Sequence, residues 1–160
     1  MDIIIIRWIF QTLAAMVMSI SFGVLFHVPK KQMLFTGISG GSGWLCYTLL
    51  THYGFSGTSA SFFAAFTLSC VSRYFAFHRR EPVTSFLTGG IFPIVPGAGI
   101  YSTGYQFFMG NNNTAIAMGF DTLKTSVAIA LGIGIVLALP QILFSFHKKA
   151  HPKAQKEQHP

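Results

Sequence analysis

The fold of this chain is decided at residues 89–101, which read Gly-Gly-Ile-Phe-Pro-Ile-Val-Pro-Gly-Ala-Gly-Ile-Tyr within a long apolar run. Pro93 and Pro96 have no backbone N–H, and each ring clashes with the preceding helical turn. Gly97 and Gly99 allow backbone angles that other residues resist. Transporters use such breaks to present backbone groups to a substrate, whereas a proline kink in a packed helix is the purely structural interpretation. The stretch predicts either one kinked helix or two half-helices.

The composition indicates a membrane protein. Hydrophobic residues make up 51% of the chain and charged residues only 9%, whereas soluble domains carry roughly a quarter charged residues. The net charge of +7 is concentrated in polar segments around Lys30 and Arg79 and in the tail from His147. That placement is typical of membrane orientation signals and argues against a nucleic-acid-binding face.

Five apolar spans are predicted, and each approaches or exceeds the roughly 20 residues that cross a bilayer. The Gly- and Ser-rich segment 37–43 makes the second span too polar to face lipid, so we expect neighbouring helices to bury it. The predicted fold is an all-α, polytopic transmembrane domain over residues 1–146, followed by a basic, disordered cytoplasmic tail over 147–160. The spans cover residues 3–26, 33–53, 59–77, 85–109 (which holds the break) and 121–146.

The connecting segments alternate between basic and uncharged, which predicts the orientation. Lys30, Arg79 and the tail then lie in the cytoplasm, and the N-terminus lies outside. In a bacterial inner membrane this N-terminus is periplasmic. The first span does not resemble a signal peptide, because Asp2 stands where a basic cluster is expected and no A-x-A-like site follows.

Small residues recur at four-residue spacing on four of the spans. Such spacing lets helices approach closely in lipid, and it fits intramolecular packing in a compact bundle or, alternatively, a dimer face. The residues are Ala15, Ser19 and Gly23; Gly37 and Gly41; Ser61, Ala65 and Ser69; and Ala128 and Gly132.

No catalytic constellation is found in the sequence. Cys46 and Cys70 lie within spans without metal-ligand spacing, so we interpret them as packing residues. The acidic residues are scattered, and no phosphate-binding Gly-Lys-Ser/Thr loop is present. We therefore predict that the chain is not an enzyme and uses neither a metal ion nor another cofactor.

The break is the predicted substrate site. Pro93, Pro96, Gly97 and Gly99 should leave free carbonyls and the N-terminus of a half-helix, which attracts anions. Tyr101 and Tyr105, four apart on one helix face, can add hydroxyl donors.

Four charged residues lie within the spans, where a charge is costly and either reaches the interface or serves a site. The planar fork of Arg73 can bind a carboxylate through two bonds, so we hypothesise that it lines the cytoplasmic entrance, against simple snorkelling. Asp121 and Lys124, three apart on one helix face, can pair with each other toward the outer mouth. For Arg7, near a span end, snorkelling is the default.

The chain resembles the threonine/serine exporter family. The resemblance rests on Pro93-Ile94-Val95-Pro96-Gly97, Tyr101, the asparagines 111–113 and the last span rich in small residues. Length and layout are similar to the YjjB-type small subunit, and the match covers all but the tail. The resemblance implies an inner-membrane exporter of small organic acids or amino acids, with the dicarboxylate succinate as substrate and a second, YjjP-like polytopic subunit as partner.

Five spans are half of the repeat-built architecture common among secondary transporters. A homodimer or a second subunit can supply the missing half. The alternatives are a non-transporting membrane scaffold or accessory subunit, half of a threonine/serine exporter, and a small channel.

Overall fold

A computed structural model describes residues 2–139 of the chain, with side chains from residue 4 onward. The described part is all-helical and contains no strand, which confirms the predicted all-α class. A short 3-10 turn, Lys30–Gln32, precedes the second helix. The helices are α1 (Asp2–Leu25), α2 (Met33–His52), α3 (Gly57–Arg79), α4 (Val83–Gly90), α5 (Gly97–Phe108) and α6 (Asn112–Ala138).

Three helical segments are long and apolar enough to cross a membrane: Ile4–Leu25, Gly57–Arg79 and Asn112–Ala138. The 20-residue α2 is long enough, but its Gly, Ser and Thr residues make it less apolar. With 8 and 12 residues, α4 and α5 are each too short to cross alone. Length and composition thus support three crossings, and the count of five stays a prediction.

The first four helices form a bundle in which α2 packs against each of the other three. α1 and α2 are antiparallel, because Gly23 and Thr36 meet near one end and Trp8 and His52 meet near the other. α2 and α3 are also antiparallel, because Phe35 meets Phe75 near one end and Tyr47 lies beside Gly57 near the other. The short α4 packs against α1, α2 and α3. The basic connections at residues 26–32 and 80–82 therefore lie at the same end of the bundle.

The last helix, α6, runs parallel to α3 along its second half. The hydroxyls of Thr58 and Thr125 lie 3.1 Å apart, and seven residues farther along each helix Gly132 packs against Ala65. The first half of α6 extends past the beginning of α3 and carries α5 alongside it in antiparallel fashion. The 27 residues of α6 are about 40 Å long, which is more than the hydrocarbon core of a bilayer requires for a perpendicular crossing.

The structure decides between two open alternatives for the fourth span and corrects the start of the last one. The fourth span consists of two separate helices, α4 and α5, which settles the choice between a kinked helix and two half-helices. The last helix begins at Asn112, nine residues before the predicted start at Asp121. The polar run 111–114 suggested a loop, but α5 packs along the first half of α6 and supports that helix from its start. Residues 140–146 of the predicted span and the tail lie outside the described residues.

Arg73 joins α3 to the end of α6. Its side chain is 8% exposed, and its guanidinium donates hydrogen bonds to the carbonyl oxygens of Val136, Leu139 and, at 3.2 Å, Leu137. The last carbonyls of a helix lack partners within the helix and carry partial negative charge, so a cation stabilises this end. Arg73 is therefore a buried capping residue for α6.

Gly132 tests the packing of α6 against α3. Gly134, on the same helix, is the matched control. A methyl group at Gly132 would lie 2.6 Å from the carbonyl oxygen of Phe62, whereas one at Gly134 would meet no atom within 4 Å. Overpacking costs about 1–3 kcal/mol. We therefore expect Gly132→Ala to lower the melting temperature of the detergent-purified protein by several degrees, and Gly134→Ala to leave it equal or slightly higher. Equal melting temperatures for the two variants would show that α6 does not pack on α3 in this way.

Candidate functional site

The chain between α4 and α5 continues as a series of turns. The N–H groups of Ile94 and Val95 both bond to the carbonyl of Ile91, at 2.9 and 3.3 Å, and that of Gly97 bonds to Val95 at 2.7 Å. Pro93 and Pro96, both half-buried, have no N–H to give to the carbonyls four residues earlier. Two carbonyls, those of Gly89 and Phe92, thus lose the donors that a continuous helix would supply.

The break lies midway along the bundle and is anchored in its core. Ile94, only 5% exposed, packs with Leu68 of α3 and Ile129 of α6. Leu68 is the twelfth of the 23 residues of α3, which puts Ile94 near half height. On the other side, the ring of Phe92 stacks on that of Phe22 with centroids 3.7 Å apart. Half height is where transporters with discontinuous helices place their binding sites.

The approach of α4 to its neighbours requires glycine. A methyl group at Gly89 would lie 2.8 Å from the carbonyl oxygen of Ser19, and one at Gly90 would lie 3.3 Å from the amide nitrogen of Gly40. Backbone thus meets backbone where α4 ends. This contact fixes the position from which the broken segment leaves the bundle.

The N-terminus of α5 is open. Pro96 is its N-cap residue and provides no side-chain hydrogen bond, so the first amides of α5 rely on other partners. A methyl group at Gly97 would meet no atom within 4 Å, so there is free space beside the first turn. The N-terminus of a helix carries roughly half a positive charge, and here free space adjoins it.

The predicted role of the two glycines needs correction. We expected unusual backbone angles at both, but both lie in α5, and the glycines with positive φ in the described chain are Gly54 and Gly110. Gly99 instead allows close helix approach, because a methyl group there would lie 2.5 Å from the hydroxyl oxygen of Thr122 on α6.

Tyr101 and Tyr105 share one face of α5, as the four-residue spacing predicts. Their rings stack with centroids 6.2 Å apart. Both are exposed, Tyr101 by 72% and Tyr105 by 48%, and no residue of α5 is buried. The two hydroxyls are therefore accessible to a ligand or to a second protein chain.

The other predicted site residues fall into two places. Lys124 donates to Asp121 across 3.0 Å, as predicted, and this turn of α6 lies beside the start of α5, where Thr122 contacts Gly99. The carboxylate and the ammonium are 78% and 65% exposed. Arg73 lies about 8 Å farther along α3 than Leu68, at the far end of α6. Its contact with substrate stays a prediction, to be weighed against its capping bonds.

Sequence reasoning missed Ser39 as a residue of this site. It is fully buried, its hydroxyl has no partner among the described residues, and its Cβ lies 3.5 Å from where a methyl group on Gly90 would be. The polar Gly-rich segment 37–43 was the available signal, but only the packing of α4 shows which of its hydroxyls meets the break.

Comparison with known proteins gives a family and one distant relative. An uncharacterized protein of Haemophilus influenzae is 23% identical over 146 residues, covering 89% of this chain and 49% of that protein. The chain thus spans about half the length of the curated relative it matches. No solved structure matches. The sequence model described as "Threonine/Serine exporter, ThrE" matches residues 11–139, which include every helix from α2 to α6 and most of α1. The chain belongs to the threonine/serine exporter family.

Proposed function

We propose that this chain is one membrane subunit of a secondary exporter of small organic acids, with succinate as the favoured substrate. The observation that carries the proposal is the break at half height, where the open N-terminus of α5 follows two prolines. Family membership supports membrane export in general. In this proposal α2 and the α4–α5 pair add two crossings to the three apolar helices, in an inner membrane with the N-terminus periplasmic and the C-terminus cytoplasmic.

The local charges favour an anion at the break. Residues 91–105 contain no Asp or Glu, so nothing in this segment repels a carboxylate. The N-terminal amides of α5 and the two tyrosine hydroxyls are donors, and a carboxylate removed from water needs such partners. Asp121 already neutralises Lys124, which leaves the helix terminus as the main positive feature beside the break.

We further propose that a second polytopic subunit, YjjP-like according to the resemblance, packs against the α5–α6 arm. This arm, residues 97–124, has an exposed outer side. An apolar groove of about 590 Å³ lies between its two helices. The relative with twice the length has room for a second such unit within one chain. A second copy of this chain is the competing occupant. The exposed apolar side chains of the arm include Ile100, Phe107, Phe108, Ile116, Phe120 and Leu123.

The second candidate function is half of a threonine/serine exporter. The family description names these two amino acids, and the exposed Asp121 beside the start of α5 can accept an ammonium group. A transport assay with both substrate types separates the two proposals. A scaffold or accessory subunit would support flux of neither.

Restoring the donors at the break tests its role in transport. Pro93→Ala combined with Pro96→Ala returns an N–H to each position and permits a continuous helix, which would remove the open N-terminus. We expect export of labelled succinate from cells to fall at least tenfold while the protein still inserts. Gly134→Ala, on the second half of α6 with open space around it and outside the α5–α6 groove, should retain most of the export. Undiminished export by the double variant would exclude the break from the mechanism.

Reconstitution tests the need for a partner. In liposomes, this chain alone should give no saturable flux of succinate or threonine, because the α5–α6 arm lacks its cover. Adding the product of a neighbouring gene for a larger polytopic protein should restore flux of one of the two substrates. Strong saturable flux from this chain alone would overturn the two-subunit proposal, and conductance without substrate preference would indicate a channel.

A further inference from the structure

A cavity of about 460 Å³ lies between α1 and α2, at the end of the bundle where α1 begins and α2 ends. Its lining residues all belong to these two helices, so it is separate from the break between α4 and α5. Its size suits a small organic ligand. Neither the family description nor the proposed transport site accounts for it.

The chemistry of the cavity is that of an anion site. Arg7 and Gln11 from α1 line it together with Tyr47 from α2, and no Asp or Glu does. Within residues 4–139, the ion pair present is the one between Asp121 and Lys124, so Arg7 has no acidic partner there. An unpaired guanidinium with two donors side by side matches a carboxylate.

Trp44 adds a second, independent indication. Its indole N–H is buried and has no acceptor among the described residues, although buried polar groups in proteins almost always have one. Trp44 lines the same cavity as Arg7. The indole nitrogen has almost no accessible surface, so it can bond to a ligand carboxylate only after the Trp44 ring turns toward the cavity.

Aromatic rings also line the cavity, beside Ile4, Thr48 and Thr51. Trp8 meets the ring of His52 edge-on at 5.0 Å, and Trp44 lies 5.4 Å from the ring of Tyr47. Aromatic walls around a few convergent polar groups are characteristic of small-molecule sites.

We infer that this cavity binds a small carboxylate, held by the guanidinium of Arg7 and, once its ring turns toward the ligand, by the indole N–H of Trp44. Under the proposed orientation the site faces the periplasm. The inference does not require transport through the break, because no lining residue comes from α4 or α5. Dicarboxylates and amino acids share the carboxylate, and the experiment separates them.

Intrinsic fluorescence is a direct probe, because Trp8 and Trp44 are the chain's two tryptophans and both line the cavity. The purified full chain in nanodiscs is titrated with succinate, with uncharged succinamide and with threonine at constant ionic strength. We expect a saturable change in emission with succinate and none with succinamide. A response to threonine at lower concentration than to succinate would assign the carboxylate to an amino acid, within the same inference.

Variants identify the groups responsible. Arg7→Gln should weaken the apparent affinity for succinate by about tenfold or more, because it removes a charge-assisted bond. Arg7→Lys, which keeps the charge but loses the fork, should fall between Arg7→Gln and the wild type. Lys31→Gln removes an exposed cation at the opposite end of the bundle and should leave the titration unchanged.

Three results would overturn the inference: no saturable emission change in the wild-type protein, an equal response to succinamide, or an unchanged titration with Arg7→Gln. The succinamide comparison uses the wild-type chain and so holds even where a variant folds poorly. Failure here leaves the flux experiments on the break unaffected, because they report on different helices.

Discussion

Close contact between helix backbones is the constraint on which the rest of this structure depends. Inside a membrane, helices gain little from burying apolar side chains and associate through close packing instead. Here Gly40, Gly89 and Gly90 bring α1, α2 and α4 together, and Gly132 brings α6 onto α3. A methyl group at any of these four positions would lie 3.0 Å or less from an atom of a neighbouring helix. The bundle is thereby held rigid up to the break.

The break gains its properties from this rigid frame. Ile94 sits in the core while the prolines on either side interrupt the helix, so the chain leaves the bundle at half height. Beyond it, α5 has no buried residue and rests on the first half of α6. The far end of α6 is held by Arg73 through its carbonyls. This arm, with no buried residue on α5, is the surface on which the proposed second subunit would pack.

Sequence reasoning succeeded where one residue type has one physical consequence. The two prolines predicted the interruption, and the spacings of Asp121–Lys124 and Tyr101–Tyr105 predicted pairs that the structure contains. It failed where tertiary packing decides. The start of α6 depends on support from α5, and Gly99 is needed because Thr122 lies opposite. Likewise, Arg73 could be assigned to the α6 carbonyls only after α3 and α6 were known to run parallel.

The central claim is that the segment after the break opens to water at half height, and thiol accessibility tests it most directly. In a chain lacking Cys46 and Cys70, a cysteine replaces Ala98 in the exposed first turn of α5, and in a second protein it replaces Leu131 on the exposed apolar face of α6. Both are treated in intact membranes with a charged, water-soluble thiol reagent. The account predicts rapid labelling of Ala98→Cys, slowed by succinate, and almost none of Leu131→Cys. Labelling of Ala98→Cys as slow as that of Leu131→Cys would contradict it.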